Sequence, residues 1–353
     1  MRALRLHGPK DLRLDEIPDP VVGAGGVVVE VAWTGICGTD LALYEYGVGK
    51  ARGPAPVLHE PGPRVLGHEF AGRIAAVGAG VAGIAVDDLV AVRPHVYDGT
   101  CRMCVSGSTQ LCVNGGFVGV DGGGGGLSQF VAVDAAQVHR LPPGVGPEVG
   151  ALVESLSVAW HAVGQSGVAA GQRVLVLGGG PIGLGVLLCL RAIGVEDIVV
   201  SEPSPARRSK AEAFGAVTVD PRDADVLEFV VEHSGGAGVD AALEASGAGE
   251  ATYRAALESL RPGGTAVMVA PFHRPVAANP TRLMMTERRV TGSFAYSRAD
   301  FAGVIEAIAD RRLRPVDLIS SRIGLGDTVE SGIRHLLGDG RETEVKMLVS
   351  PQR

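Results

Sequence analysis

In the first 150 residues, apolar positions are grouped in short segments. Residues typical of turns separate one segment from the next. Val27–Trp33, Phe70–Gly78, Leu89–Pro94 and Phe130–Pro142 are rich in β-branched side chains, and Gly, Pro or Asp bounds each of them. Segments of this kind are typical of strands, and their close spacing favours a barrel-like sheet. We therefore expect a β-rich domain over residues 1–150.

A different pattern begins near Gly171. The apolar run "RVLVLGG" is followed by a helical stretch to Ile193, and further strand-like and helical segments then alternate: "DIVVSEP", "SPARRSKAEAFG", "AVTVD", "VDAALEAS" and "GGTAVMVAP". Alternation of this kind predicts an α/β fold with a doubly wound parallel sheet, here over residues 151–288. The pattern ends near Arg289, and residues 289–353 are expected to return to the first domain.

Composition and charge limit the class of protein. The chain has 353 residues, of which 46% are hydrophobic and 20% charged, as in a globular protein with a sizeable core. Its net charge of −7 and the absence of a basic stripe argue against a nucleic-acid partner. The first residues, "MRALRLHGPKDLRL", lack an apolar leader, so a cytoplasmic location is expected.

One apolar stretch, Val174–Leu190, could be mistaken for a membrane span. It is shorter than the ~20 residues that a spanning helix needs. Five glycines and Pro181 also interrupt it. We interpret it as a buried strand, turn and helix, and expect no membrane association.

The same stretch contains a dinucleotide-binding motif. Gly178, Gly180 and Gly183 form G-x-G-x-x-G, with Ile182 inside it, between a predicted strand and a predicted helix. The glycines allow a tight turn, close approach of a pyrophosphate and close helix packing, and the helix N-terminus favours phosphate. Glu202 ends the next strand, where a carboxylate binds the ribose hydroxyls and favours NAD. Arg207 and Arg208 follow it and could instead accept the 2′-phosphate of NADP.

Three segments supply candidate ligands for a catalytic metal. Cys37 lies in "GICGTD", His68 and Glu69 lie in "GHE", and Glu154 lies in "ALVESLSVAWHAV". A thiolate, an imidazole and carboxylates with one open position are typical of catalytic zinc. Each residue also has an ordinary structural explanation, as a buried thiol, a core histidine or a helix-start carboxylate.

Taken together, these motifs resemble the zinc-dependent medium-chain alcohol dehydrogenases. The resemblance covers essentially the whole chain and is closest to the 2,3-butanediol dehydrogenase branch, with sorbitol and threonine dehydrogenases as neighbours. "ALVESLSVAWHAV", "VVSEPSPARR" and "GSFAY" followed by "DF" are the segments behind that choice. The resemblance implies a GroES-like catalytic domain, a zinc-assisted hydride transfer between an alcohol and NAD, and a homodimer or homotetramer.

The resemblance also implies roles for individual residues. Cys37, His68 and Glu69 occupy the family's catalytic zinc positions, and Glu154 stands where other members have a second cysteine ligand. Thr39 matches the hydroxyl that receives the substrate proton. Many relatives carry a histidine five residues after the cysteine to pass the proton to solvent, but this chain has Ala42 there. The proton is therefore expected to leave by another path.

A second metal site is implied by "YDGTCRMCVSGSTQLC". Cys101, Cys104 and Cys112 keep the spacing of the family's four-cysteine zinc lobe, and Asp98 stands in the first position. A carboxylate is an accepted zinc ligand, so we expect a structural zinc held by these four residues. The alternatives are a lobe without metal and, less simply, a redox C-x-x-C pair. Cys189 is expected to belong to the core.

The resemblance narrows the substrate to a small secondary alcohol or vicinal diol. Polyol dehydrogenases often have an arginine where this chain has Ala295, and a pocket without that guanidinium suits 2,3-butanediol or acetoin. The alternatives are a polyol dehydrogenase of the sorbitol type, an L-threonine dehydrogenase, and a zinc-free NAD-binding protein without enzymatic activity.

Overall fold

Two compact units make up the part of the chain that a computed structural model describes, residues 1–49, 53, 56–58 and 60–353. The first unit comprises Met1–Glu154, Ser297–Ala309 and Val316–Arg353. The second comprises Ser155–Tyr296 and Asp310–Pro315. No helix in the described residues is long and apolar enough to cross a membrane.

The strands, in chain order, are β1 (Arg2–Gly8), β2 (Asp11–Glu16), β3 (Gly26–Gly35), β4 (Arg64–Val65), β5 (Glu69–Val77), β6 (Leu89–Val92), β7 (His95–Val96), β8 (Gly116–Phe117), β9 (Phe130–Asp134), β10 (Val138–Arg140), β11 (Arg173–Leu177), β12 (Asp197–Ser201), β13 (Val217–Val219), β14 (Val239–Glu244), β15 (Leu260–Met268), β16 (Arg289–Gly292), β17 (Ile319–Gly324) and β18 (Lys346–Ser350).

The α-helices are α1 (Gly38–Tyr46), α2 (Arg102–Val105), α3 (Pro147–Gly150), α4 (Val153–Ser166), α5 (Pro181–Ala192), α6 (Pro205–Ala213), α7 (Val226–His233), α8 (Glu250–Glu258), α9 (Pro280–Thr286), α10 (Arg298–Ala309) and α11 (His335–Leu337). Short 3-10 turns and one π-helical segment, Thr328–Arg334, complete the regular structure of the described residues.

The first unit is built on a seven-stranded sheet of order β10-β6-β5-β3-β18-β17, with β9 paired to β3. Val27, Val29 and Val31 of β3 are fully buried and pack with Phe70 and Ile74 of β5. Burying each such side chain contributes roughly 1.5–3 kcal/mol to folding. The strand pattern read from the sequence therefore reflects a real apolar face of this sheet. β2-β1-β4 and β7-β8 form two smaller sheets.

The single strand predicted over Phe130–Pro142 is wrong. The chain forms β9 and β10 with a 3-10 turn, Ala135–Gln137, between them. Asp134 starts this turn, because its carboxylate accepts the Ala136 N–H at 2.7 Å and the Gln137 side chain accepts the Asp134 N–H at 3.0 Å. This reciprocal capping breaks the extended backbone and lets β10 pair with β6 while β9 pairs with β3.

The second unit contains six parallel strands in the order β13-β12-β11-β14-β15-β16. This is the strand order of a doubly wound dinucleotide-binding sheet, in which ligands bind beyond the carboxyl ends of the strands where the order reverses. Here that point lies between β11 and β14. The α/β class with a doubly wound sheet and a β-rich unit, predicted from the sequence, is confirmed.

The second unit extends past residue 288, where the sequence pattern ended. β16 pairs with β15 in parallel, from Thr265 opposite Arg289 to Met268 opposite Gly292. Its side chains are mostly exposed, so the strand lacks the apolar signature of a central strand. The first unit resumes at Ser297, immediately before α10.

Candidate metal and dinucleotide sites

The first metal-binding cluster joins Cys37, His68 and Glu69 in the first unit. Cys37 immediately precedes α1, and Glu69 begins β5 opposite Gly35 of β3. One ligand atom from each of the three residues lies within 4.8 Å of the others. A Cβ at Gly35 would come within 2.1 Å of Glu69 Oε2, so glycine is required there for the carboxylate to take this position.

The Asp40 carboxylate lies beside the His68 ring inside the protein. Asp40 is fully buried, and its Oδ1 lies 3.8 Å from His68 Nδ1, while its Oδ2 accepts the Cys37 N–H at 2.9 Å. Burial lowers the pKa of His68, but the neighbouring Cys37, Asp40 and Glu154 outweigh it and raise that pKa well above its usual value. Acidic side chains gathered around a histidine in this way fit a site for a divalent cation.

The positively charged side chain of Lys346 lies against this cluster. Its ammonium donates to both Glu69 carboxylate oxygens, at 2.9 and 2.7 Å, and the two side chains are 4% and 1% exposed. Burial lowers the pKa of Lys346, but Glu69 and Cys37 raise it above its usual value overall. Glu69 is thus held by a buried ion pair as well as lying in the ligand cluster.

Glu154 and Thr39 lie at the margin of the cluster. Glu154 is buried in the first turn of α4, and its charge raises the pKa of His68, but it is not one of the three clustered ligands. Thr39 is exposed, and its Oγ1 lies 3.8 Å from Cys37 Sγ. Ala42 is exposed on α1 and has no group that could carry a proton.

The second metal-binding cluster consists of Asp98, Cys101, Cys104 and Cys112, with one ligand atom of each within 4.8 Å of the others. Thiolates on a single tetrahedral zinc, at about 2.3 Å each, lie roughly 3.8 Å apart. Cys101 Sγ is 3.5 Å from Cys104 Sγ and 3.8 Å from Cys112 Sγ. These separations fit a shared metal and exclude a disulfide, whose sulfur atoms would lie about 2.05 Å apart.

Asp98 takes a fixed, ionised position in this lobe. Its Oδ1 accepts the N–H groups of Thr100 and Cys101 at 2.8 and 2.9 Å, and its Oδ2 accepts the Asn114 side-chain amide at 2.7 Å. These hydrogen bonds, that of Cys101 foremost, hold the pKa of Asp98 well below its usual range. A carboxylate that is ionised and oriented in this way fits the fourth position of a zinc site.

The dinucleotide motif forms the turn between β11 and α5 in the second unit. Gly178 has φ +101°, a conformation that other residues rarely adopt. A Cβ at Gly183 would lie 1.8 Å from the Gly178 carbonyl oxygen, so α5 packs this closely only with glycine. Gly180 precedes the helix, and Ile182 lies in its first turn. The backbone cradle at a helix N-terminus fits a pyrophosphate.

Glu202 lies beside this turn and forms a hydrogen bond with it. Its Oε2 accepts the Gly179 N–H at 2.6 Å, its Oε1 accepts the Ser204 N–H at 2.8 Å, and the residue is 5% exposed. Arg208 turns away from the carboxylate and bonds the carbonyls of Glu202 and Pro203 at 2.8 and 2.7 Å. Arg207 stays nearer the glycines, since its Nη1 lies 3.8 Å from the position a Cβ would take on Gly180.

Asp40, Asn114 and Lys346 were given no role in the sequence interpretation. Asp40 belongs to the segment that also holds Cys37, so its position three residues after that cysteine was a usable signal. Asn114 lies two residues after Cys112, so its position near the lobe was also a usable signal. Lys346 had no such signal, because 277 residues separate it from Glu69.

Two family models match the chain. A zinc-binding dehydrogenase model covers residues 181–310, and an alcohol dehydrogenase GroES-like domain model covers residues 23–143. The (R,R)-butanediol dehydrogenase of Bacillus subtilis (strain 168) is 37% identical over 99% of this chain and 100% of that protein. The sorbitol dehydrogenase of the same organism is 30% identical over 100% and 98%.

Solved structures agree with the sequence relatives. The crystal structure of 2R,3R-butanediol dehydrogenase from Bacillus subtilis has a TM-score of 0.91 and 36% identity, and covers 99% of both chains. A structure described as a zinc-binding dehydrogenase of Sinorhizobium meliloti 1021 bound to NADP has a TM-score of 0.88, 30% identity and 99% coverage of both chains. The resemblance seen in the sequence is confirmed, and the chain belongs to the zinc-dependent medium-chain alcohol dehydrogenases, which use a nicotinamide cofactor.

Proposed function

We propose that the chain is an NAD-dependent zinc alcohol dehydrogenase that oxidises 2,3-butanediol to acetoin and catalyses the reverse reduction. The observation that carries the activity is the convergence of Cys37, His68 and Glu69 in a chain that also forms a dinucleotide-binding turn. The substrate is supported by full-length similarity to a relative named (R,R)-butanediol dehydrogenase. Oxidation of the diol by NAD⁺ yields acetoin, NADH and one proton.

Cys37 and His68 would hold the catalytic zinc, with a carboxylate from Glu69 or Glu154. When bound, zinc supplies a Lewis acid for the substrate hydroxyl, and the nicotinamide ring accepts the hydride. The buried Asp40 carboxylate lies 3.8 Å from His68 Nδ1, and its charge would stabilise positive charge on that ring. Lys346 would compete with a bound metal for Glu69, because its ammonium contacts both oxygens of that carboxylate.

Thr39 would receive the proton that leaves the substrate hydroxyl. Its hydroxyl lies 3.8 Å from the Cys37 sulfur, and its side chain is exposed. A hydroxyl is both a donor and an acceptor, so Thr39 passes one proton on as it accepts another. Because Thr39 is exposed and Ala42 carries no titratable group, the proton would pass from Thr39 to water or to the cofactor ribose.

The cofactor preference for NAD would be set by Glu202. Its carboxylate is fixed at the end of β12 by two backbone N–H groups, at the position where ribose hydroxyls bind in this fold. A 2′-phosphate there would meet a nearly buried negative charge. Arg208 offers little compensation because backbone carbonyls and Asp220 occupy its guanidinium.

The lobe of Asp98, Cys101, Cys104 and Cys112 would hold a second, structural zinc. All four residues come from one loop, and the sulfur separations fit a shared tetrahedral ion. Three thiolates and one carboxylate carry the same formal charge as four thiolates. A closed set of four protein ligands leaves no position for substrate, so this zinc would support the loop and take no part in the chemistry.

Ala295 would restrict the substrate to small diols. It stands where polyol dehydrogenases often carry arginine, and it has a positive φ of +50°. A methyl side chain provides no hydrogen-bond donor for the additional hydroxyls of a sugar alcohol. We therefore expect a four-carbon diol to be favoured over a six-carbon polyol.

Comparison of kcat/KM with NAD⁺ for 2,3-butanediol stereoisomers, sorbitol and L-threonine tests this proposal. Zinc-loaded protein should reduce NAD⁺ fastest with a stereoisomer of 2,3-butanediol. A higher value for sorbitol or L-threonine would overturn the substrate assignment and leave the dehydrogenase chemistry intact. No turnover with any alcohol, in protein whose zinc content is verified, would overturn the enzymatic assignment itself.

A further inference from the structure

Asp220, which directly follows β13, pairs with two arginines. Its Oδ2 lies 2.7 Å from Arg208 Nη1 and 2.7 Å from Arg222 Nη2, and its side chain is 9% exposed. Arg222 Nε also donates to Asp220 Oδ1 at 3.0 Å. The Arg222 hydrogen bonds foremost hold the pKa of Asp220 below its usual range, so the carboxylate is ionised at neutral pH. One carboxylate thus neutralises two guanidinium groups only in part.

Both arginines lie against the turn that carries Glu202. Arg208 Nη1 donates to the carbonyls of Glu202 and Pro203, and Arg222 Nη2 donates to the carbonyl of Pro203. The strand next to this turn holds Asp220 in place, because the Glu202 N–H donates to the Val219 carbonyl at 3.1 Å. The pair of arginines and their carboxylate are therefore part of the wall around the candidate ribose-binding position.

Guanidinium groups in this position have a known chemical consequence. An arginine near the end of the second strand of such a sheet accommodates the 2′-phosphate of NADP, and guanidinium binds phosphate through paired hydrogen bonds. Arg207 and Arg208 of α6, together with Arg222 after β13, place three cations near two carboxylates, Glu202 and Asp220. Without Asp220 the local charge would favour a phosphate.

We infer that Asp220 is a specificity-determining residue, which excludes a 2′-phosphorylated cofactor by holding Arg208 and Arg222 in ion pairs beside the ribose-binding turn. This inference deepens the proposed preference for NAD and rests on it. Glu202 would repel the 2′-phosphate directly. Asp220 would keep Arg208 and Arg222 paired, so that they do not bind this phosphate. Asp220 acts through these two side chains and is a positioning residue, with no contact to the cofactor required.

Binding of adenosine 2′,5′-bisphosphate and of 5′-AMP, measured by calorimetry on zinc-loaded protein, tests the inference. The two probes differ only in the 2′-phosphate. Asp220→Asn should increase affinity for the bisphosphate, relative to 5′-AMP, by about 5-fold or more, because a nearby negative charge is removed and Arg208 keeps its backbone carbonyl partners but loses its ion pair. The matched control is Asp223→Asn, which removes the same charge from an exposed site three residues along the chain.

A second variant is expected to change the relative affinity for the bisphosphate in the opposite direction. It tests the inference even if the Asp220→Asn protein does not fold. Arg222 is 56% exposed, so Arg222→Gln should preserve the fold while leaving Asp220 to neutralise Arg208 alone. Its relative affinity for the bisphosphate should fall. In the Asp220→Asn background, Arg208→Gln should remove the gain that Asp220→Asn produced.

The results separate this inference from the proposed cofactor preference. A wild-type protein that binds both probes equally well would contradict the preference for NAD, whereas the role of Asp220 is judged by the change between variants. An unchanged ratio in Asp220→Asn together with an unchanged ratio in Arg222→Gln would overturn the inference. An equal gain in Asp223→Asn would also overturn it, because the effect would then be one of net charge alone.

Discussion

The ammonium of Lys346 lies 2.7 Å from the Glu69 carboxylate, with both side chains almost completely buried. Lys346 begins β18, and Glu69 begins β5, so two strands that join the same sheet through β3 bring the charges together. The pair sits in the cluster of Cys37 and His68. A buried ion pair of this kind constrains which carboxylate is available to a metal ion.

Replacing Lys346 with methionine should destabilise the metal-free protein. The change leaves Glu69 buried without its partner, which costs about 3–5 kcal/mol in comparable buried pairs. Denaturant unfolding of chelator-treated protein measures the loss. Arg13→Met is the matched control, since it breaks an exposed pair with Asp11 and should cost at most about 1 kcal/mol. A Lys346→Met protein as stable as this control would show that the pair has no structural role.

Local motifs were the part of this protein that the sequence could predict. The turn at Gly178–Gly183 was recognisable because the positions that require glycine are close together in the chain. The zinc-binding lobe of residues 98–112 was recognisable because its four ligands come from one loop. The β3 and β5 strands were also recognisable, since the buried valines of β3 and the buried Phe70 and Ile74 of β5 mark one face of the sheet.

Features that depend on distant residues could not be predicted. The contact of Lys346 with Glu69 has no local pattern, because it depends on how β18 and β5 pair with β3. The Asp134–Gln137 turn was missed for another reason. Its two polar side chains lie within a segment rich in apolar and β-branched residues, and only their reciprocal hydrogen bonds show that the chain turns there.

Two zinc ions per chain are expected, one in each cluster. Asp98→Ala should lower the zinc content to one and reduce stability, because three thiolates in close contact then lack their fourth ligand. Metal analysis by mass spectrometry, together with thermal unfolding, measures both effects. Asp98→Cys should retain two zincs and release the lobe zinc more slowly to a chelator, since thiolate donates more strongly than carboxylate. A zinc content of one in the wild type, lost in Cys37→Ser, would show that the lobe is empty.

Stability should fall as the pH is lowered from about 6.5 to about 4, in part because of His139. Burial, with Arg298 and Arg93 nearby, lowers the pKa of His139 from its ordinary 6.5 to about 4. The unfolded chain therefore binds this proton first, and the stability present above pH 6.5 decreases as the pH falls towards 4, by about 3 kcal/mol in full.

The variant His139→Phe isolates this effect, because it keeps an aromatic ring against Phe301, whose centroid lies 4.8 Å from that of His139. The free energy of unfolding of the variant should depend less on pH over this range than that of the wild type. His273→Phe, at an exposed position, serves as the control and should change this pH dependence less than His139→Phe does. If the unfolding free energies of wild type and His139→Phe change with pH in the same way, His139 does not cause the loss of stability.

Wild-type kcat/KM should favour NAD over NADP by about 5–150-fold, as expected for about 1–3 kcal/mol of repulsion between Glu202 and a 2′-phosphate. Glu202→Gln should reduce this ratio while keeping a side-chain oxygen for one of the two N–H groups, those of Gly179 and Ser204, that now bond separate carboxylate oxygens. Steady-state kinetics with both cofactors measures the change. Equal values in the wild type would mean that the nearby arginines override the carboxylate.

The most direct measurement of the central claim compares wild type and Cys37→Ser for zinc content, NADH binding and NADH formation from 2,3-butanediol. Cys189→Ala is the control, because Cys189 is buried in α5, outside both clusters. The wild type and the control should hold two zincs and form NADH. Cys37→Ser should hold one zinc, bind NADH as the wild type does, and form less than about a hundredth as much product. Retention of most activity by Cys37→Ser, or activity in wild-type protein stripped of zinc, would contradict the account.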